Sequence, residues 1–496
     1  MLKPLYPTLL LAILSLQLFA SKADWVIPFY TSDRVITKDI VIDSEGYSYS
    51  TGLFYDTLII QTPGNSDTLI DKRFGETFIV KMDSCGNLIW AKQFSGQSHT
   101  EPRSIALNYQ GQIIITGTFS AETDFDPSPN TFLVDPEGGD AIYISILDKY
   151  GNLINVGRLG GSPGMYTPNV AIDDTDNIYI SAAFSGGAQN VPVDIDPDLN
   201  RRLELKPTGL DGIILKLDPL GNLIWYYHVR GSGDQIFAGD ITTKGSEIYV
   251  CFHFWGEVIF DTGSATQTLV SRTSKYDGLL INLSSSKQFF GYTHLVGTEN
   301  VIARSVKSSK SNGIYLSGYF NDTLFVPFKG QSLKLATEGN YDSYVGNWST
   351  NGTLRWIKQF SSKKEVYIYS MDVGIDGNIY LAGRFQDTLN FRQGANPLIS
   401  MNSRNLFIAV LDSNGNFLHA EKLDVQTTKV NHIAIDKKGN MLGFSSFNNA
   451  NFQTYDGDTS FLTNGKESAL LFKLSNEVNR IHLGNDKSIC DNDSLI

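Results

Sequence analysis

The chain has 496 residues and a formal net charge of −12, with no basic run to offset it. That balance excludes the concentrated Lys and Arg that nucleic-acid phosphates require, so no nucleic-acid partner is expected. Hydrophobic residues at 41% and charged residues at 19% supply a large core and exclude a disordered chain, while 45 glycines point to many tight turns.

The chain opens on a targeting segment. Lys3 supplies a small positive region, Leu9 to Ala20 is mostly apolar, and Ser21-Lys22-Ala23 has the small-x-small form of a cleavage site before Asp24. Residues 1–23 are expected to be a signal peptide, with the mature chain secreted or held at the cell surface. The apolar run is short for a bilayer span and no second one follows, so no transmembrane segment is expected.

From Asp24 onwards the sequence repeats. The stretch Asp376-Gly-Asn-Ile-Tyr-Leu-Ala-Gly-Arg-Phe385 has variants ending at Phe54, Phe119, Phe184, Phe254, Phe320 and Phe447. In chain order the steps between these phenylalanines are 65, 65, 70, 66, 65 and 62 residues, the mark of a repeat architecture. Each repeat also holds a strand–turn–strand unit typified by Phe78 to Trp90, in which Asp83 can bond the turn backbone and Gly86 tolerates positive φ. Copies run Tyr143 to Ile154, Ile213 to Trp225, Tyr344 to Trp356 and Leu406 to Leu418, with weaker ones at Leu279 to Phe290 and Ala469 to Ile481.

Together the two signatures predict four strands per repeat. Strand a precedes the first turn, b is the opening motif, c precedes the aspartate turn and d follows it. Apolar residues on both faces of b and c suit sheets held between two neighbours. The prediction is an all-β fold, a seven-bladed β-propeller with four-stranded blades over residues 24–480. Trp25 stands 29 residues before Phe54, as Trp90, Trp225 and Trp356 stand before Phe119, Phe254 and Phe385. Asp24 to Tyr30 therefore reads as an orphan strand d, expected to complete the last blade and close the ring. The a–b and c–d turns are uniform, so the variable b–c connections and the d–a connections share the opposite face, where a ligand is expected.

The paired signatures resemble the bacterial seven-bladed β-propeller (SBBP-type) repeat of secreted Bacteroidota surface proteins, which implies a propeller exposed outside the cell. Leu483 to Cys490 resembles the opening of an immunoglobulin-like or PKD-like module. That likeness implies that residues 481–496 are the start of a truncated downstream module or tail.

Few motifs suggest chemistry. Gly160-Gly-Ser162-Pro-Gly164 fits G-x-S-x-G, but it joins two strands and Pro163 follows the serine, which favours a loop. Asp194, Asp196 and Asp198 have the spacing of calcium-loop carboxylates, and Asp124 and Asp126 occupy the matching place one repeat earlier. Leu199 and Leu205 stand where such a loop needs its glycine and its bidentate acid, so a repeated turn device competes with a metal site. No histidine pair has metal spacing. Cys251 is expected to be a buried thiol and Cys85 an incidental one. The leading expectation is a monomeric, non-enzymatic binding or adhesion scaffold for an extracellular protein or glycan, without cofactor; calcium is the one metal considered. The alternative is an extracellular propeller enzyme acting on a carbohydrate or other small substrate. Such an enzyme would gather ionisable residues at the starts of strands a, a gathering not visible in the sequence.

Overall fold

Aspartate-anchored turns set the strands. Asp83 Oδ1 accepts the backbone N–H groups of Cys85 (2.9 Å) and Asn87 (2.8 Å), and the Asn87 amide donates to Oδ2 (2.9 Å). The same closure recurs at Asp148, Asp218 and Asp412. Gly86 and Gly221 take left-handed φ values of 80° and 93°, and Lys287 adopts 74° where a weaker copy lacks the glycine. The structure, a computed structural model, describes residues 23–71, 74–160, 164–231, 235–272, 275–309, 313–391, 396–426, 431–454, 457–463 and 466–475. Residues 1–22 of the expected signal peptide, the expected tail at 481–496 and Ser162 lie outside the described residues.

The fold is all-β, with strand ladders that are antiparallel except for a single parallel pairing of Leu210 with Gln235 among the described strands. In the first repeat, strands a (Val35–Ile42), b (Ser48–Phe54), c (Glu76–Met82) and d (Leu88–Gly96) pair in that order. Every residue of b and c is buried, as two-faced packing demands. The innermost strands of later repeats are Thr100–Leu107, Gly164–Ile172, Gln235–Lys244, Val301–Ser309, Glu365–Val373 and Asn431–Ile435. Each packs against the next, and the last packs against Val35–Ile42.

The N-terminal strand Trp25–Thr31 pairs with Ser468–Leu474, from Trp25 opposite Lys473 to Phe29 opposite Ala469. It thus stands where a strand d would. Trp25 Nε1 donates to the Ser84 carbonyl (3.2 Å), as Trp225 does to Ser285 (3.1 Å) and Trp356 to Ser413 (3.1 Å). For these three the 29-residue spacing corresponds to a shared contact, a strand-d tryptophan latched to the c–d turn of the following repeat, whereas Trp90, at the same spacing, buries its Nε1 without a hydrogen-bond partner among the described residues.

The b–c connections differ from expectation: they are hairpins that extend a neighbouring sheet, except that Val193–Asp194 and Glu204–Leu205 form a two-stranded sheet bridged to Gly160. Thr57–Gln61 and Ser66–Ile70 pair with each other, and the first pairs with the N-terminal strand. Thr123–Asp124 pairs with Leu88–Gly96, Glu257–Asp261 with Leu223–Gly231, and Thr323–Phe328 with Phe289–Gly297. Each hairpin covers the outer edge of the preceding repeat, so a four-strand unit becomes a sheet of six, as in the order running from Leu133–Val134 to Val35–Ile42.

Strand c and strand d are pinned by a second recurrent device. Asp211 accepts from His228 Nε2 (2.7 Å) and the Gly231 N–H (2.8 Å), and Asp277 accepts from His294 Nε2 (2.9 Å) and the Gly297 N–H (3.0 Å). Asp342 repeats it with Gln359 (2.6 Å) and the Ser362 N–H (3.2 Å). The matching positions of His228 and His294 are thus structural. Cys251 is a buried free thiol, as expected, whereas Cys85 is disulfide-bonded rather than an incidental thiol. Among the described residues no helix is long and apolar enough to cross a membrane.

Candidate functional site

Most of the innermost strands carry one residue more than their partner strand. Lys38 is extra between Thr37 and Asp39, Arg103 between Pro102 and Ser104, Arg304 between Ala303 and Ser305, and Tyr369 between Ile368 and Ser370. A β-bulge re-aims the extra side chain. All four line one central cavity of about 360 Å³, to which every innermost strand contributes. In two strands the irregularity spans Thr167–Pro168 and Gly239–Asp240 instead.

The carboxylates of this cavity are committed to the framework. Asp39 Oδ2 accepts from Ser104 Oγ (3.1 Å) and the Ile105 N–H (3.0 Å), and its Oδ1 lies 3.6 Å from His432 Nδ1. Asp240 Oδ2 accepts from Ser305 Oγ (2.9 Å) and pairs with Lys307 Nζ (3.0 Å). Asp372 accepts the N–H groups of Ile435 (2.8 Å) and Val373 (2.8 Å). Each acid therefore ties its strand to the innermost strand of the next repeat.

The field in the cavity follows from these partners. Burial pushes the Asp39 carboxyl up, but its hydrogen bond to His432 and that residue's charge bring it below the usual carboxylate value. Burial raises Asp372, with Lys307 opposing. Burial alone would lower Lys307, yet Asp240, Asp372 and Asp39 hold its ammonium above the usual value. Lys38 is paired with Glu101. Arg103 and Arg304 have no ion-pair or hydrogen-bond partner for their side chains among the described residues. Burial, and then repulsion from Arg304, lowers Arg103 to about 10.

Aromatic rings cluster beside the cavity, where Arg384 lies over Tyr367 and Tyr369. Tyr367 and Tyr369 stack at 5.7 Å, and Tyr319 meets Tyr367 edge-on at 4.9 Å. On the other side His253 stacks on Phe237 at 5.4 Å. A second cavity of about 340 Å³ opens where the innermost strands begin, with His99, Asp140, Tyr166 and Phe237 on its wall. Arg103 lines both cavities.

The acidic residues singled out from the sequence lie elsewhere. Asp124 Oδ1 accepts from the N–H groups of Asp126 (3.1 Å) and Phe132 (2.8 Å). Asp194 Oδ1 does the same for Asp196 (3.2 Å) and Leu203 (2.9 Å), and Asp196 Oδ1 accepts the N–H of Asp198 (3.2 Å). Asp194 and Asp196 are buried, Arg201 pairs with Asp196 at 2.8 Å, and none of the five lines either cavity. Among the described residues no three His, Cys, Asp or Glu side chains converge as a metal-binding group.

The bulge residues were missed, although a signal existed. Lys38, Arg103, Arg304 and Tyr369 each stand 14 residues before a motif glycine, at 52, 117, 318 and 383.

His253 supplies a pH prediction. Burial first, and then the charge of Arg304, pushes its pKa down to about 3 from the usual 6.5. The folded protein thus binds fewer protons than the unfolded chain between those values. Stability is full above pH 6.5 and is lost as pH falls towards 3, on the order of 2 kcal/mol by pH 4 after allowing for partial exposure. Melting temperatures measured from pH 7 to 4 are expected to fall less steeply for His253→Gln than for the parent; parallel curves would refute the assignment.

Comparison with known proteins bears on the fold. No family model matches the chain. A WD repeat-containing protein of Acanthamoeba polyphaga mimivirus, itself uncharacterised, is 20% identical over 298 residues. The repeat is of the propeller type. That match covers 51% of this chain and only 21% of the viral protein. Among solved structures, the polysaccharide lyase Uly1 is similar at 8% identity and a TM-score of 0.46, covering 92% of this chain and 99% of that one. A protein of unknown function from Dyadobacter fermentans is similar at 9% identity and a TM-score of 0.36, covering 92% and 98%. Another from Bacteroides caccae is similar at 10% identity and a TM-score of 0.34, covering 72% and 94%.

Proposed function

We propose that the chain is a secreted or cell-surface, seven-bladed propeller of the SBBP type, closed by its N-terminal strand, that binds an extracellular ligand without transforming it. The observation that carries the binding reading is the state of the central carboxylates: Asp39, Asp240 and Asp372 each commit Oδ2 to the adjoining innermost strand and Oδ1 to the next N–H of their own strand. Acids so engaged hold a framework and are poorly available as general bases. The disulfide at Cys85 favours an oxidising compartment, in line with export. On this reading the ligand enters on the face shared by the b–c and d–a connections, through the cavity walled by Asp140 and Tyr166. The hairpin acids Asp124, Asp126, Asp194, Asp196 and Asp198 shape turns, and calcium is not needed.

The enzymatic alternative draws on one specific observation, the gathering of His432, Lys307 and three carboxylates on the innermost strands. It would require one of those groups to leave its present partner during turnover.

The two faces can be compared directly. Asp140→Lys and Tyr166→Ala alter the cavity mouth, whereas Lys149→Glu and Tyr150→Ala alter an exposed c–d turn. With purified protein applied to the producing cell's surface and to a panel of host glycans, the first pair is expected to abolish binding and the second to leave it intact. Loss only with the second pair would reverse the choice of face, and release of a converted glycan would establish the enzymatic alternative.

A further inference from the structure

Arg103 and Arg304 are the unusual groups of this molecule. Two guanidinium side chains line the wall of one cavity within range of each other's charge, and neither has an ion pair or a side-chain hydrogen bond among the described residues. Their neighbours are all engaged: Lys38 with Glu101, Lys307 with Asp240, and Asp39 with Ser104, Ile105 and His432. Gathering two cations in a partly desolvated site is unfavourable for the empty protein, and a bound anion would reverse that cost. A planar carboxylate suits the donor fork of arginine, which can hold it through two parallel hydrogen bonds.

The surroundings narrow the ligand further. Tyr369 lines the central cavity and Tyr166 and Phe237 line the second, so aromatic rings stand in both cavities that Arg103 lines. The central cavity is also lined by Ser305, Ser370 and Asn169, each bonded to the framework through one function but with another suited to a polyol: Ser305 Oγ can accept, Ser370 Oγ can donate and Asn169 Oδ1 can accept. Each cavity, at about 360 and 340 Å³, has room for a sugar ring, and the two meet at Arg103. Resting on the binding function argued above, we propose that the site takes a uronate-bearing oligosaccharide, one carboxylate held between Arg103 and Arg304 and the adjoining rings lying against Tyr369 and Tyr166.

Calorimetric titration of the full chain with hexamers of galacturonate, alginate and hyaluronate tests this, with the methyl-esterified galacturonate hexamer as a neutral isostere and a sulfated hexasaccharide as a second anion. At least one uronate hexamer is expected to bind, and its ester or neutral counterpart at least tenfold more weakly. Arg103→Gln and Arg304→Gln are each expected to weaken binding tenfold to a hundredfold, the loss of charge-assisted hydrogen bonds. Both variants should melt at or above the parent temperature, because each relieves the repulsion between the arginines; a purely structural role would lower it. The proposal is overturned if no uronate hexamer binds, if esterification changes nothing, if the sulfated probe binds more tightly than every uronate, or if the variants melt lower with affinity unchanged. The face assignment fails separately, when Asp140→Lys and Tyr166→Ala leave surface binding intact.

Discussion

Deletion of residues 24–30 is expected to abolish cooperative folding of the mature chain. The strand they form is paired on both sides, with Ser468–Leu474 at one edge and with Thr57–Gln61 at the other. Its side chains Ile27 and Phe29 are 5% and 0% exposed, and Phe29 sits between Phe78 (6.0 Å) and Phe444 (5.5 Å), from the first and last repeats. Losing two such side chains and two ladders costs more than about 5 kcal/mol, comparable with the whole stability of many proteins. The exposed edge of Ser468–Leu474 would also recruit other chains, so aggregation is the expected accompaniment. Phe29→Ala is the milder test, at about 3–5 kcal/mol. A soluble deletion variant with an unchanged melting temperature would show that the first and last repeats hold together without this strand.

Much of this was legible because repetition multiplies weak signals. One Asp-x-x-Gly-Asn stretch is only a turn, but copies in constant register define the strands between them, and the tryptophan spacing made Trp25 readable as a strand d. The b–c hairpins were less legible. Thr57–Gln61 and Thr266–Val270 are short and partly exposed, with Ile59 and Val270 at 41% and 60%, so they lack the apolar runs that mark the inner strands. Each hairpin joins a different repeat through its first strand, Thr57–Gln61 to Trp25–Thr31 and Glu257–Asp261 to Leu223–Gly231, which local sequence does not encode. Of the four Asp-Thr-Leu stretches, those at 56, 322 and 387 begin on aspartates at φ 66°, 62° and 75°, the turn that starts each hairpin. The cavity was least legible of all. A bulge leaves no compositional trace, and Lys38, Arg103 and Arg304 read as surface cations until strand pairing shows where the extra residue falls.

The motif glycine explains why those bulges are possible, and Gly117→Ala should show it. Gly117 lies opposite Pro102, the residue just before the bulged Arg103, and a Cβ there would meet the Glu101 carbonyl at 2.3 Å and Tyr143 at 2.5 Å. Gly52, Gly318 and Gly383 repeat the arrangement, meeting the carbonyls of Ile36, Ile302 and Tyr367 at 2.5, 1.9 and 2.1 Å. Where strand b has Ala183 or His253 instead, the glycine moves across the pair to Gly212 or Gly278 on strand c, and the irregularity of the innermost strand is the one spread over two unpaired residues. A backbone carbonyl cannot swing aside as a flexible side chain can, so the methyl must push the inner strand inward. Gly117→Ala is expected to cost about 3 kcal/mol and, by displacing Arg103, to weaken uronate binding at least about tenfold. Gly291→Ala is the control: it lies in a strand with nothing within 4 Å of an added Cβ, and it should be neutral or slightly stabilising. If the two variants melt together and bind alike, the glycine is not what lets the innermost strand bulge towards the cavity.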